Sequence, residues 1–418
     1  MTKRIFAIAF IFLCTSVCWG ILGGTVFSRT YDSAATSSSR VASTWGTEQN
    51  QAPPTASFKT KVQKREEVIE NGVKVIRTKE EEYETPLSVE QSAVDVKLDL
   101  EHRQKGLLWY STYKIDFSGN YKFHNPSDKE QLVNFKLQFP TTQAIYDNLV
   151  FTVDGSPTVI SNEGNAAMTS VKIDAGKTAQ LAVGYRSQGL NQWRYSLGTS
   201  EVSQVRGFTL HMTTNFKDID FPDNTLSPTT KEETSNGWDL TWSYSSLLSG
   251  FQIAMVMPEK LQPGPLAGKI SFFAPVSLFF FFFLMLIITT LRGIDLHPMN
   301  YFFLAAAFFS FHLLLAYLVD HMSIHASFAV AAAVSVFLVV SYLRLVVGIR
   351  FASREAALAQ FIYLVMFSYA FFLKGFTGLA ITIGSVLTLF VVMQVTGRIR
   401  WTEKFAGKPV PEPASELI

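Results

Sequence analysis

Asp320, His321 and His325 cluster within six positions at a turn between two apolar runs. Histidines four residues apart share one face of a helix, and two imidazoles with a carboxylate form a ligand set that zinc accepts. That chemistry requires one helix to run through all three. Otherwise they are polar residues of a turn at a water boundary, where such groups cost little. His312 lies nine residues before His321, about 13 Å along a helix, so it cannot join the cluster directly. It sits inside an apolar run, where an ionisable side chain is expensive and therefore worth weighing. His297 and Tyr301 open the same run, with Pro298 placed where a first helical turn tolerates it. These six residues, His297, Tyr301, His312, Asp320, His321 and His325, are the candidate functional polar groups.

No other chemistry is visible. The chain has no G-x-S-x-G, no H-E-x-x-H, no P-loop spacing and no G-x-G-x-x-G. No catalytic residue, no cofactor-binding residue and no metal site is assigned, and the expected protein is not an enzyme.

The elements that would hold the six residues are apolar runs at 270–291, 299–319, 326–347, 356–372 and 376–395. Roughly 20 apolar residues cross a bilayer core as a helix, and helices satisfy their own backbone in lipid. The run 356–372 is the shortest. A sixth run, 5–27, follows Lys3 and Arg4 and is longer than the apolar core of a cleaved signal, so it reads as a signal anchor. Cys14 and Cys18, four apart within it, are expected to pack on a neighbouring helix. No Asp or Glu interrupts the helix interiors, which disfavours an ion-driven transporter. Gly375, Gly378, Gly384 and the alanine runs 305–307 and 331–333 read as close helix packing.

Basic residues set the threading. With Lys3 and Arg4 in the cytoplasm, Arg292, Arg344, Arg350, Arg354, Arg398, Arg400, Lys404 and Lys408 all fall on the same side. The net charge of +2 hides an asymmetry, because residues 28–267 carry 24 Lys and Arg against 28 Asp and Glu, a net of −4. The basic excess belongs to the membrane ends, and no nucleic-acid partner is needed to explain it.

Residues 28–57 are rich in Ser, Thr, Ala and Pro and read as a mobile tether. From residue 58 to 266 the pattern changes to period two. Val94, Val96, Leu98 and Leu100 alternate with charged residues, as do Val133, Phe135, Leu137 and Phe139, and later Trp238, Leu240, Trp242 and Tyr244. Short alternating strands at near-regular spacing imply a β-sandwich-like domain, either one large sandwich or two small ones. Val68–Ile76 carries Asn71-Gly72, a hairpin signal, and its charged flanks suggest a solvated edge. Trp193, Tyr195, Trp238 and Trp242 are read as core rather than as a ligand groove.

The stretch Leu296-His297-Pro298-Met299-Asn300-Tyr301, followed by an aromatic-rich run and Asp320-His321, resembles the CreD family of bacterial inner-membrane proteins. Arg398-Ile399-Arg400-Trp401 is similar to that family's closing segment. The resemblance covers mainly residues 270–401. It implies an N-terminal helix, a large periplasmic domain, a helical bundle, and a part in cell-envelope integrity and stress response without an established catalytic mechanism.

The expected architecture is an α-helical integral membrane protein with six transmembrane helices and a large all-β extracytoplasmic domain. Its parts are a signal anchor at 5–27, a tether at 28–57, a periplasmic domain at 58–266, a five-helix bundle at 268–397 and a cytoplasmic tail at 398–418. It is placed in the bacterial inner membrane with both termini cytoplasmic. Its expected partners are the lipid bilayer and an envelope protein, and the pattern is compatible with a homo-oligomer. The alternative function is a small-molecule or ion transporter or channel through the bundle.

Overall fold

The computed structural model describes residues 2–70, 73–105, 108–198 and 202–397. The chain forms two compact units: one holds the residues up to Ala34 together with those from Leu261 onward, and the other is Ala35–Lys260. Asn71-Gly72 and the basic segment from Arg398, with Trp401, lie outside the described residues.

The first unit is helical. Its elements are α1 (Thr2–Trp45), whose residues from Ala35 fall in the second unit, α2 (Pro263–Arg292), α3 (Pro298–Leu318), α4 (Ile324–Val346), α5 (Ile349–Phe372) and α6 (Thr377–Thr396). All six are long and apolar enough to cross a membrane. Their ends follow local chemistry. Gly293 closes α2 at φ 66°, the left-handed conformation that glycine adopts without penalty. The His297 Nδ1 caps α3 by accepting from the Met299 amide at 3.2 Å, and the Ser323 hydroxyl caps α4. The core contains Trp19, Phe281, Tyr301, Phe308, Phe311, Leu343 and Leu364, with Ala305, Ala331, Ala352 and Ala356 where helices meet.

Several expectations need correction. Residues 29–45 are not a mobile tether but the continuation of α1. Nucleation is the costly step of a helix, and here the apolar span has already met it, so an Ala- and Ser-rich extension propagates cheaply until Gly46 at φ 121°. At 44 residues, α1 is about 66 Å long, twice the hydrocarbon thickness. The fifth span begins at Ile349 rather than at residue 356. Cys14 and Cys18 are free and exposed on α1 rather than buried in a helix contact. Of the three glycines expected at helix contacts, Gly384 packs on Phe367, whereas Gly378 has open space around it and Gly375 is a turn residue at φ 77°.

The second unit is built on strands β1 (Gln49–Gln51), β2 (Thr55–Glu70), β3 (Val73–Leu87), β4 (Val89–Lys105), β5 (Leu108–His124), β6 (Gln131–Gln138), β7 (Tyr146–Val153) and β8 (Ser156–Pro157). It continues with β9 (Ser161–Glu163), β10 (Ala166–Ile173), β11 (Thr178–Leu190), β12 (Gln192–Tyr195), β13 (Ser203–Thr214), β14 (Thr230–Glu233), β15 (Trp238–Ser249) and β16 (Ile253–Val256). One sheet runs β14-β15-β13-β4-β5-β11-β7-β8, a second β3-β2-β6-β10-β9, and a third β1-β12-β16. Side chains from all three meet in one apolar core that includes Phe117, Phe123, Phe135, Leu181, Trp193, Leu210 and Trp242. Trp193, Tyr195 and Trp242 are core residues. Trp238 is half-buried, with the Lys231 ammonium 4.2 Å over its ring.

Within this core lies a polar layer built on β1. Gln49 and Gln51 are fully buried. The Gln49 amide donates to Ser187 Oγ and Gln188 O, both at 2.8 Å, and Tyr185 donates its hydroxyl to Gln51 Oε1 at 2.6 Å. Tyr113 donates to Gln192 O at 2.9 Å, and the Tyr121 and Tyr195 hydroxyls lie 3.0 Å apart. Where the chain enters and leaves this unit, the β4–β5 hairpin clasps it. Arg103 stacks 3.4 Å over Trp45, Ser111 Oγ and His102 Nε2 both donate to Pro258 O, and Lys260 sits 3.6 Å over Trp109.

Candidate functional site

In the helical unit, α5 departs from ideal geometry. It contains π-turns at Ala352–Ala356 and Phe361–Met366. A π-turn sends its amides five residues back, loosens a backbone carbonyl and often marks a functional position. No proline or glycine lies between Ile349 and Phe372, so nothing local forces these turns. They coincide instead with hydrogen bonds from neighbouring helices.

Gln360 sits between the two π-turns, fully buried. Its Nε2 donates to Ser335 Oγ on α4 at 2.8 Å, and Ser335 in turn donates to Ala307 O on α3 at 2.6 Å. From α2, Ser277 Oγ donates to the Tyr363 carbonyl within the second π-turn. The Tyr363 hydroxyl donates to Thr388 Oγ1 on α6 at 2.9 Å, and Thr388 donates to Gly384 O at 2.8 Å. Ser277, Ala307, Ser335, Gln360 and Thr388 each lie at or near the middle of their helix. The result is one polar layer at mid-depth that ties α2, α3, α4 and α6 to α5. Gln360 Oε1 is buried without a partner.

About one turn away along α3 is His312, also fully buried. Its Nδ1 lies 3.2 Å from Phe308 O. A carbonyl only accepts, so Nδ1 carries the proton and Nε2 presents a lone pair, which has no partner. Trp19 of α1 meets the imidazole edge to face at 5.4 Å, and its Nε1–H is likewise buried and unpartnered.

Two belts of charge bracket this layer. At one end Arg4 pairs with Asp295 at 2.6 Å, and Arg292 pairs with Glu355. At the other, Arg29 holds both Asp320 oxygens, at 3.1 and 3.3 Å, and donates to Ala316 O at 2.9 Å. The Arg29 guanidinium also lies 5.4 Å from the Tyr317 ring centre. Arg4 and Arg29 are 25 positions apart on α1, about 37 Å along its axis, which matches a hydrocarbon slab with its interfaces. Between the belts the spans carry no carboxylate.

The six candidate residues are dispersed over this frame. His297 is an exposed cap, and Tyr301 is buried against Phe282 with its hydroxyl unpartnered. Asp320 is committed to Arg29. His321 is in the turn after α3, whereas His325 begins α4 with its ring 5.0 Å from Phe372. The helix therefore does not run through Asp320, His321 and His325. Among the described residues no group of three His, Cys, Asp or Glu is arranged to hold a metal, and no hydrogen bond or ion pair joins any two of the six.

Sequence reasoning passed over Gln360, Ser335, Ser277 and Tyr363. A lone Gln in an apolar run was the available signal. His211, which the alternating pattern places within a strand, lies on β13 with its Nε2 2.7 Å from Asp239 and its Nδ1 3.3 Å from Asp95.

No curated protein matches the chain. Among solved structures, a Legionella pneumophila protein described as a candidate nutrient binding protein aligns at 11% identity and TM-score 0.30, over 46% of this chain and 71% of that one. An M1 zinc metallopeptidase from Deinococcus radiodurans aligns at 10% identity and TM-score 0.27, over 78% of this chain and 96% of that one. Likeness at that level carries no argument about fold or activity. The family model described as inner membrane protein CreD matches residues 1–402. On that match, which spans the N-terminal helix, the β-rich unit and the bundle, the chain belongs to the CreD family of inner membrane proteins.

Proposed function

We propose that this protein is a non-enzymatic inner-membrane component that supports envelope integrity or stress response. In this reading the β-rich unit faces the periplasm and binds an envelope partner, while the bundle anchors that contact and relays it. The observation that carries the reading is the chemistry between the two charged belts: a neutral hydrogen-bonded layer around Gln360, with no carboxylate to couple to an ion gradient. The charge pattern supports the orientation, because Arg4, Arg292, Arg350 and Arg354 gather at one end of the bundle as positive-inside threading requires.

A partner has a recess to enter in the β-rich unit. It has a volume of about 370 Å³ and is lined by Pro54, Leu87, Tyr195, Leu197, Val205 and Phe208. Its lining is as polar as it is apolar, with Ser88, Ser92, Gln204 and Arg206 beside those side chains, which suits an extended peptide that brings its own backbone hydrogen-bonding groups. The test is gene deletion with complementation. Loss of tolerance to detergents and envelope antibiotics is expected, restored by the intact chain and not by a Val205→Asp/Leu87→Asp variant that is shown to fold. Unchanged tolerance after deletion would remove the proposal.

A conduit through the bundle is the second reading, favoured by the unpartnered Gln360 Oε1 and His312 Nε2. Reconstituted protein that moves neither ions nor small polar solutes would dispose of it.

A further inference from the structure

A groove with a volume of about 230 Å³ runs between α1 and α2 on the outside of the bundle. Each helix lines it with residues at the spacing of one helix face. Ile8 and Phe282 form the floor and are buried. Ile5, Phe279 and Phe283 form exposed rims, the two phenyl rings stacked 6.1 Å apart. Phe12 meets Phe279 edge to face at 6.2 Å and bounds the far end. Ala9, exposed between Ile5 and Phe12, is too small to fill the space. From Ile5 to Phe12 the groove follows α1 for about 10 Å, a third of the hydrocarbon thickness.

The near end carries charge. Arg4 lies one turn before Ile8 on the same face of α1. Only its Nη1 is engaged, by Asp295 at 2.6 Å, and its Nε is buried without a partner. A guanidinium has five donors in a planar fork that fits a phosphate. The Asp295 side chain is 92% exposed, and an exposed carboxylate holds its partner weakly. Lys3 is exposed beside Arg4, and the first turn of α1 contains no acid, so the helix N-terminus adds to the positive field. The two ends of the site therefore ask for different chemistry. Protein surfaces in lipid pack without voids, and a hydrocarbon chain is what fills an apolar recess there. Such a chain is as apolar as the side chains it touches and gives little selectivity. The selectivity comes from the charge at the mouth.

We propose that this groove is a binding site for one anionic phospholipid. One acyl chain lies over Ile8 and Phe282 against Ala9, and the headgroup phosphate is held by the free donors of Arg4 with Lys3 beside it. A zwitterionic lipid fits the same groove, but its own cation offsets the attraction of its phosphate. One basic residue at a membrane surface favours an anionic lipid by about fivefold, which sets the expected preference at Arg4.

The test uses the full chain reconstituted in vesicles of equal parts dioleoyl phosphatidylglycerol and dioleoyl phosphatidylcholine, then extracted in mild detergent and read by native mass spectrometry. The parent should retain one lipid, phosphatidylglycerol over phosphatidylcholine by about fivefold. Ala9→Phe, which fills the groove from its exposed side, should lose most of both lipids, and the smaller Ala9→Leu should lose part of both. Arg4→Gln should keep a lipid but bring the ratio of the two close to one. Asp295→Asn breaks the same ion pair from the other side and should leave the preference intact or raise it, which separates phosphate binding from a structural role of the pair. Retention unchanged in both Ala9 variants would mean a general lipid shell only and would overturn the proposal. An unchanged ratio in Arg4→Gln, or a preference lost equally in Asp295→Asn, would also overturn it.

Discussion

Replacing Gln360 by Leu separates structural from functional polarity in the bundle. Leu has nearly the shape of Gln without its amide. The substitution removes one interhelical hydrogen bond, the 2.8 Å contact to Ser335, and such bonds average about 0.6 kcal/mol in a membrane protein. It also removes Oε1, a buried acceptor with no partner, whose burial costs about 1–3 kcal/mol. Ser335 keeps its own bond to Ala307 O. The variant should therefore be more stable than the parent by about 0.5–2 kcal/mol, read as a higher midpoint in SDS or thermal unfolding of the purified protein. Its complementation of a detergent-sensitive deletion strain should nevertheless fall. Ser335→Ala should go the other way in stability, losing about 1–3 kcal/mol, because it leaves the Gln360 amide with neither partner. A Gln360→Leu protein destabilised by more than about 1 kcal/mol would mean that Oε1 is satisfied in the membrane. A stable variant that complements fully would reduce the layer to packing.

Other outcomes follow from the same geometry. Arg29→Ala strips Asp320 of both its contacts at a half-buried site and should cost about 1.5–3 kcal/mol, largely recovered in Arg29→Asp/Asp320→Arg by chemical denaturation. Gly189→Ala would place a Cβ 2.2 Å from the buried Tyr113 hydroxyl, breaking its bond to Gln192 and costing about 1–3 kcal/mol in the unfolding of the β-rich unit. Burial pushes the phenols of Tyr113, Tyr185 and Tyr195 well up and that of Tyr146 to about 12. Groups raised in the folded state stabilise it fully below their unfolded value near pH 10. Stability should thus be flat to pH 9 and fall from about pH 10 to 12, as tyrosine absorbance and circular dichroism report together. Ionisation without unfolding would contradict the buried layer.

Much of this organisation is written in local patterns. Val94 through Leu100 alternate because one face of β4 is buried, and a period of two has no competing explanation. The apolar runs are as plain, since lipid asks for apolar side chains on every side of a helix. The continuation of α1 to Trp45 was not legible, because Ser and Thr suit loops and helices alike and the preceding span decides between them. Gln360 was hidden for a different reason. One amide in a greasy run has no periodicity, and its significance comes from Ser335 on another helix. The Asp320, His321 and His325 spacing looked like a ligand set only while the helix was assumed to run through it. Arg29, 291 residues away in sequence, claims the carboxylate instead.

Six crossings that leave the β-rich unit in the periplasm are the premise beneath all of this, and cysteine accessibility tests it most directly. In a chain with Cys14 and Cys18 replaced by Ala, Val159→Cys, 92% exposed, should react with a membrane-impermeant maleimide in cells with a permeabilised outer membrane. Lys3→Cys should react only after the inner membrane is opened. Labelling of Lys3→Cys first, with Val159→Cys protected until lysis, would contradict the account.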